Sequence, residues 1–302
     1  MPKRSLSLIL LQAVFVVSWS SGFIGAKLGT ADAGAITLLF WRFLLVTACL
    51  LPLVWHRLKI LSWAQVRYNG IIGLLSQFAY LVCVYVAIRN GLPTGIAAII
   101  CALQPLITAA LSTRGPERSG GQEWAGLVLG FLGVGIVIAG EYAFSRAGVG
   151  LGLYLLPLIS ATTLAVATLY QRRQSVQATG HSQDGLLAPL FLQSATSLLL
   201  LLGVGVSSGS LEVPGQREVW LAIAWLTLFS TFMAYLSLWS LLTRMSATRV
   251  ATLVYFEPPV TLVWAAWLFG DAIHWTTYVG IAIVACGVLV ARRSKPLKAA
   301  CA

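Results

Sequence analysis

Charge is scarce in this 302-residue chain, and acidic charge scarcest of all. Charged residues make up 10% of it, with only 9 Asp and Glu. Soluble globular chains carry about a quarter, which argues against a water-soluble enzyme. Intrinsic disorder is excluded too, because disordered chains are polar and charge-rich. Histidine is also rare: His56, His181 and His274 lie apart near loops and suggest neither a metal cluster nor a catalytic dyad. The five cysteines, Cys49, Cys83, Cys101, Cys286 and Cys301, include no CxxC pair, and four sit in apolar runs. There Cys behaves as a small hydrophobe, so neither a disulfide frame nor a metal site is expected. A GxxxxGK[ST] phosphate loop is missing, so nothing points to ATP hydrolysis. No cofactor is expected.

What the chain has in quantity is apolar sequence, 58% of all residues, with a mean hydropathy of +0.86. The apolar runs fall at 6–28, 34–55, 66–88, 92–112, 122–140, 148–171, 185–207, 218–242, 247–269 and 274–291. Each is close to the ~20 residues that cross a bilayer as a helix. A β-barrel would show alternating segments of about 10 residues instead. The expected fold class is therefore an all-α polytopic membrane protein with ten transmembrane helices. The first run follows Lys3 and Arg4 as a signal peptide would, but it continues through Trp19, Phe23 and Ile24. That is too long and bulky for a cleaved segment, so it is expected to stay as span 1.

With the N-terminus in the cytoplasm, 15 of the 20 Lys and Arg fall on the cytoplasmic side, among them Arg57, Lys59, Arg172, Arg173 and the tail residues Arg292, Arg293, Lys295 and Lys298. Lys27, Arg89, Arg146 and Arg217 fall outside, and Arg42 lies within a span. The positive-inside rule then places both termini in the cytoplasm. The formal charge of +11 reports orientation in an inner membrane, and no nucleic-acid partner is expected.

The chain also repeats itself. Gln104-Pro105-Leu106-Ile107-Thr108 in span 4 aligns with Glu257-Pro258-Pro259-Val260-Thr261 in span 9, an offset of 153. Gly126 and Gly133 align with Gly280 and Gly287, and Glu117 with Asp271, at an offset of 154. Tyr80-Leu81 recurs as Tyr235-Leu236 at 155. Offsets this constant, in one order, predict two homologous five-helix halves, 6–140 and 148–291, followed by a basic cytoplasmic tail, 292–302. Five is odd, so the second half must be inverted in the membrane, a recurring design of secondary transporters that bind substrate between the halves.

These residues resemble the EamA-type branch of the drug/metabolite transporter superfamily over nearly the whole chain. The resemblance rests on Trp19 to Lys27 in span 1, Trp41-Arg42-Phe43 in span 2, Gln104-Pro105 followed by Glu117-Arg118, Tyr170 to Arg173 ending span 6, and Pro258 followed by Phe269-Gly270-Asp271. The family usually has Glu where Asp271 stands. The resemblance implies ten helices in two EamA halves and a central cavity lined mainly by helices 1, 3, 4, 6, 8 and 9. It also implies export of small metabolites, amino acids included, or of toxic compounds.

Three ionisable residues lie in or near the apolar depth: Lys27, Arg42 and Glu257. A charge at the bilayer centre costs about 2.5 kcal/mol or far more, so each needs a partner, water or a task. Glu257 is about ten residues into span 9, roughly 15 Å along a helix, which is half of a ~30 Å core. Two readings fit it: a cavity carboxylate for a substrate amine or a coupling proton, or a buried counter-ion for Arg42 or Lys27. Arg42 reads as a snorkelling or paired structural cation, or as a contact for substrate carboxylate. Lys27 reads as an interface anchor, or as an anion-attracting group at the cavity mouth.

Pro105 and Pro258-Pro259 interrupt equivalent spans, beside Gln104 and Glu257. A proline within a helix removes a hydrogen bond, which makes these sites candidate gating kinks with polar side chains. Trp19, Tyr80, Tyr85, Tyr235, Trp239 and Tyr255 are the aromatics expected at the cavity, through hydroxyl, indole or cation–π contacts, with tight helix packing as the alternative. Trp55, Trp63, Trp124, Trp220 and Trp275 fit an interfacial belt. Gly126, Gly130 and Gly133, with Gly280 and Gly287, read as close-packing positions and suggest a homodimer contact. The resulting expectation is a secondary transporter moving a small organic metabolite, an amino acid or related zwitterion, outward by alternating access, with proton coupling open. The competing expectations are efflux of toxic organic cations and, more remotely, a polytopic membrane enzyme.

Overall fold

The computed structural model describes residues 2–112, 121–144, 149–175, 187–245, 250 and 253–292. Glu117, His181 and the tail beyond Arg292 lie outside these residues, as do the side chains of Lys3, Arg4, Arg172, Arg173 and Trp239.

The described residues form ten helices, and no strand occurs among them. They are α1 (Pro2–Asp32), α2 (Ala35–Leu58), α3 (Trp63–Arg89), α4 (Thr94–Leu111), α5 (Gly121–Phe144), α6 (Leu151–Ser175), α7 (Leu187–Ser208), α8 (Arg217–Leu242), α9 (Glu257–Phe269) and α10 (Trp275–Arg292). The first eight are long and apolar enough to cross a membrane, and α10 is a shorter apolar helix. Local chemistry sets several ends. Ser62 opens α3 with a reciprocal capping box to Gln65, which satisfies two orphan amides. Gly270 closes α9 in the left-handed region at φ 67°, where a side chain would clash.

Four interruptions shape the middle of the bundle. Helices α3 and α8 each widen into a π-helical stretch, Leu74–Ala79 and Leu226–Met233. Wide turns of this kind re-aim side chains and recur at functional sites. Helix α4 breaks at Ala102-Leu103, and Gln104 starts a new segment. A short 3-10 turn, Val254–Phe256, likewise precedes Glu257. Pro105 and Pro258 therefore sit in the first turn of a fresh helix, where the missing amide would be unpaired in any case. They start helical segments after a break, which corrects the expectation of kinks within continuous helices.

The glycine stripe is consumed inside the chain. A Cβ placed on Gly133 would lie 2.6 Å from the Gly280 carbonyl oxygen, and one on Gly287 2.6 Å from that of Gly126. Helices α5 and α10 thus touch backbone to backbone, and these positions are unavailable for contact with a second protomer.

The largest apolar core joins α1 and α2 to α3, α4, α6 and the first turns of α8, with Leu38, Leu39, Ile99, Leu103 and Ile223 fully covered. Smaller clusters tie α2 to α7 around Leu50 and Phe191, and α1 to α8 around Phe15 and Leu241. Between the three clusters lies a cavity.

Candidate functional site

The cavity encloses about 730 Å³, its open mouth included. Helix α1 supplies Trp19, Gly22 and Phe23, and α2 supplies Arg42 and Phe43. Helix α3 contributes Ser76, Gln77, Tyr80, Leu81, Val84 and Tyr85; α6 adds Leu164; α8 adds Ser230, Thr231 and Tyr235; and α9 adds Glu257. The resemblance had implied α4 in this wall and had not included α2. In the structure Gln104 of α4 donates to Thr108 and to Thr168 of α6, at 3.1 and 3.2 Å. Its amide therefore clasps two helices, and the cavity position is taken by α2 with its arginine.

Arg42 is 5% exposed. Its guanidinium donates to Tyr85 Oη at 2.8 Å, Thr231 Oγ1 at 3.1 Å and Ser230 Oγ at 3.4 Å, while its Nε has no partner. All three acceptors are neutral and the Phe43 ring lies 5.5 Å from the guanidinium carbon, so the charge is solvated without an ion-pair partner among the described residues. Both Ser230 and Thr231 lie on the π-helical stretch of α8. Gly22 of α1 packs directly against Ser230, since a Cβ there would come within 2.8 Å of its hydroxyl.

Glu257 is 6% exposed, and its Oε1 has no hydrogen-bond partner. Its backbone carbonyl accepts from Ser20 of α1 at 3.3 Å, which fixes the start of α9 against α1. As the first residue of α9, it sits where the partial positive charge of a helix N-terminus favours a carboxylate. Arg42 and Glu257 share the cavity but form no ion pair with each other.

Lys27 is elsewhere. Its ammonium meets Asp271 at 2.7 Å and lies 4.2 Å above the Phe269 ring, at the far end of α9. Trp19, Tyr80, Tyr85 and Tyr235 do line the cavity, with the Trp19 and Tyr235 rings 6.0 Å apart. Tyr255, Pro258 and Pro259 instead line a separate apolar crevice with Ile99, Ala102 and α10 residues. Of the expected site, the structure brings together Glu257, Arg42, Trp19, Tyr80, Tyr85 and Tyr235. It leaves Lys27, Gln104 and Tyr255 outside.

Sequence reasoning passed over Gln77, Ser230 and Thr231. The signal that could have found them is polar residues within apolar runs, each just N-terminal to the repeated Tyr-Leu pair. Among the described residues no group of His, Cys, Asp and Glu could hold a metal ion.

Comparison with known proteins places this geometry in a family. The model of the EamA-like transporter family matches residues 6–139 and 151–293. A probable amino-acid metabolite efflux pump of Salmonella typhimurium is 27% identical over 292 residues, 93% of each chain. Its namesake in Escherichia coli strain K12 is 26% identical over 296 residues, again 93% of each. A protein of the same strain named as an uncharacterized inner membrane transporter is 23% identical over 288 residues, covering 95% of this chain and 90% of its own. A crystal structure of another protein, 20% identical, covers 94% of this chain and 96% of its own with a TM-score of 0.62. The two share a fold.

Proposed function

Because the chain belongs to the EamA-like transporter family, we propose that it exports a small zwitterionic metabolite, an amino acid or close derivative, across the inner membrane. It is a multi-pass membrane protein. The observation that carries the proposal is the coexistence in one cavity of a buried arginine and a buried carboxylate that do not pair. A solute bearing both a carboxylate and an ammonium would complete both groups at once. Desolvated charges left uncompensated are costly, so binding of a matching zwitterion is strongly favoured over a solute with one charge. The printed names of the relatives support the same substrate class.

Alternating access in this reading comes from two inverted halves rocking about the cavity. It is supported by the family match falling on two segments. The paired π-helical stretches and paired helix breaks, spaced by the offset of the sequence repeat, support it as well. The skew of Lys and Arg toward alternate loops supports cytoplasmic termini. Glu257 would trade the substrate ammonium for a proton on the return step, which couples export to the proton gradient. An organic-cation carrier would use the aromatic wall and Glu257, but Arg42 in that wall repels its cargo.

The test is counterflow in proteoliposomes with a panel of radiolabelled amino acids and, in parallel, a lipophilic organic cation. Saturable exchange of one or more amino acids, stimulated by a pH gradient, is the expected result. Exchange of the cation alone would overturn the proposal.

A further inference from the structure

The arginine in the cavity wall cannot offer a carboxylate its usual two-pronged grip. A guanidinium meets a carboxylate with two parallel N–H groups. Both edges that can do so run through Nη2, one shared with Nη1 and one with Nε, while the third side carries the side chain's own Cδ. Nη2 of Arg42 has two hydrogens, and both are spent, on Ser230 Oγ at 3.4 Å and on Thr231 Oγ1 at 3.1 Å. The fork is therefore closed from both directions. What Arg42 keeps in reserve is a single contact through Nε, which is buried and unpartnered.

The hydroxyls that occupy the guanidinium are not equivalent. A guanidinium has no acceptor, so each of them takes the hydrogen bond on its oxygen and keeps its own hydrogen to give. Thr231 gives its hydrogen to the Leu226 carbonyl oxygen at 3.2 Å, five residues back on the widened turn of α8. Tyr85 and Ser230 have no acceptor for theirs among the described residues. Tyr85 is the more deeply placed of the two. It is 1% exposed, its ring belongs to the largest apolar core, and it stands on the α-helical segment of α3 that follows the π-helical stretch. A phenol buried to this degree ordinarily finds a partner for its hydrogen, and the space Tyr85 lines is the cavity. The Arg42 nitrogen 2.8 Å from its oxygen polarises the O–H and strengthens it as a donor.

We infer that Tyr85 is the specificity-determining donor for the solute's carboxylate, with the Ser230 hydroxyl as a second donor beside it. Arg42 acts on the solute mainly through these two hydroxyls, whose oxygens it holds and whose hydrogens it thereby turns outward. The inference rests on the zwitterion reading and deepens it. The arginine end of the cavity asks for an acceptor oxygen, so an ammonium, which only donates, is refused there and left to Glu257. The solute is bound in one orientation.

The experiment measures binding to purified full-length protein in nanodiscs by tryptophan fluorescence. L-leucine, L-phenylalanine and L-threonine are each compared with the amine that has hydrogen in place of the carboxylate: isopentylamine, phenethylamine and 1-aminopropan-2-ol. Wild-type protein is expected to favour at least one acid over its amine. Tyr85→Phe, which keeps the ring, is expected to cut that preference about tenfold, the loss of one hydrogen bond to a charged group. Ser230→Ala is expected to cut it several-fold, and decides alone if Tyr85→Phe does not accumulate in membranes. Hydroxyls that merely occupy the guanidinium would behave in the opposite way, because each substitution would release an N–H of Arg42 to the carboxylate. A preference that is kept or rises, or an equal weakening of acid and amine, overturns this inference and leaves the zwitterion reading standing. No preference in wild-type protein for any of the three acids overturns the zwitterion reading, and the inference with it.

Discussion

Among the described residues, two places where charge enters the apolar body of this protein are built on opposite lines. At the far end of α9, Lys27 and Asp271 are in direct contact, capped by the Phe269 ring. Their side chains keep 32% and 23% exposure. In the cavity, Arg42 and Glu257 are almost fully buried and stay unpaired. The first arrangement supplies its own counter-charge, although Asp271 Oδ2 has no hydrogen-bond partner. In the second, Arg42 is solvated by three neutral hydroxyls and Glu257 has an oxygen with no partner. Exposure of charge does not separate the two regions in the sense a hydropathy plot would suggest, since the more buried residues are the ones without an ion-pair partner. The difference is whether the protein supplies the counter-charge, as it does for Lys27, or not, as for Arg42 and Glu257.

The comparison is most severely tested at Glu257. Glu257→Gln keeps shape and burial but removes the charge, and export should be abolished with normal amounts of protein in the membrane. Normal efflux from loaded vesicles would erase the distinction between the two regions. Next comes Arg42→Lys, which keeps the charge but loses the planar fork that reaches Tyr85, Ser230 and Thr231 together. Half-saturation for the transported amino acid should rise about tenfold or more, measured in the same vesicles. An unchanged value would make Arg42 a structural cation. The smallest effect belongs to the other region. Lys27→Met should cost about 1 kcal/mol or less in the melting of the detergent-solubilised protein, as partly exposed pairs do, and transport should persist. Loss of transport with unchanged stability would show that this pair, too, takes part in the cycle.

Much of this could be read in the chain itself. Ten apolar runs correspond to ten helices because in lipid every backbone group must be satisfied within its own segment. Chain length and hydropathy alone therefore locate the helices, eight of them long and apolar enough to cross a membrane. Pro105 and Pro258 marked where two of them are interrupted, since a proline cannot continue a hydrogen-bonded turn. The form of the interruption was less accessible: a break before the proline and a kink at it leave the same residues in the same order. The partners of the charged residues were hidden for another reason. Lys27 and Asp271 are 244 positions apart, and nothing local says that α1 ends beside the turn after α9. Gln104 and Gln77 are equally polar and similarly deep in their spans, yet one clasps a neighbouring helix and the other faces the cavity.

The sequence by itself determined the membrane class, the number of helices, the repeat of the Gln/Glu-Pro breaks and the identity of the residues whose burial needs a reason. Those features are properties of single segments, set by apolar transfer and backbone hydrogen bonding. Tertiary structure decided which charges are neutralised. Pairing depends on how helices far apart in the chain are turned toward one another, and a shift of one residue, about 100° around a helix, moves a side chain from cavity to packing face. Scarce charge was visible from the outset. That its deepest members, Arg42 and Glu257, line one cavity without pairing while Lys27 is paired with Asp271 is a consequence of how the helices meet.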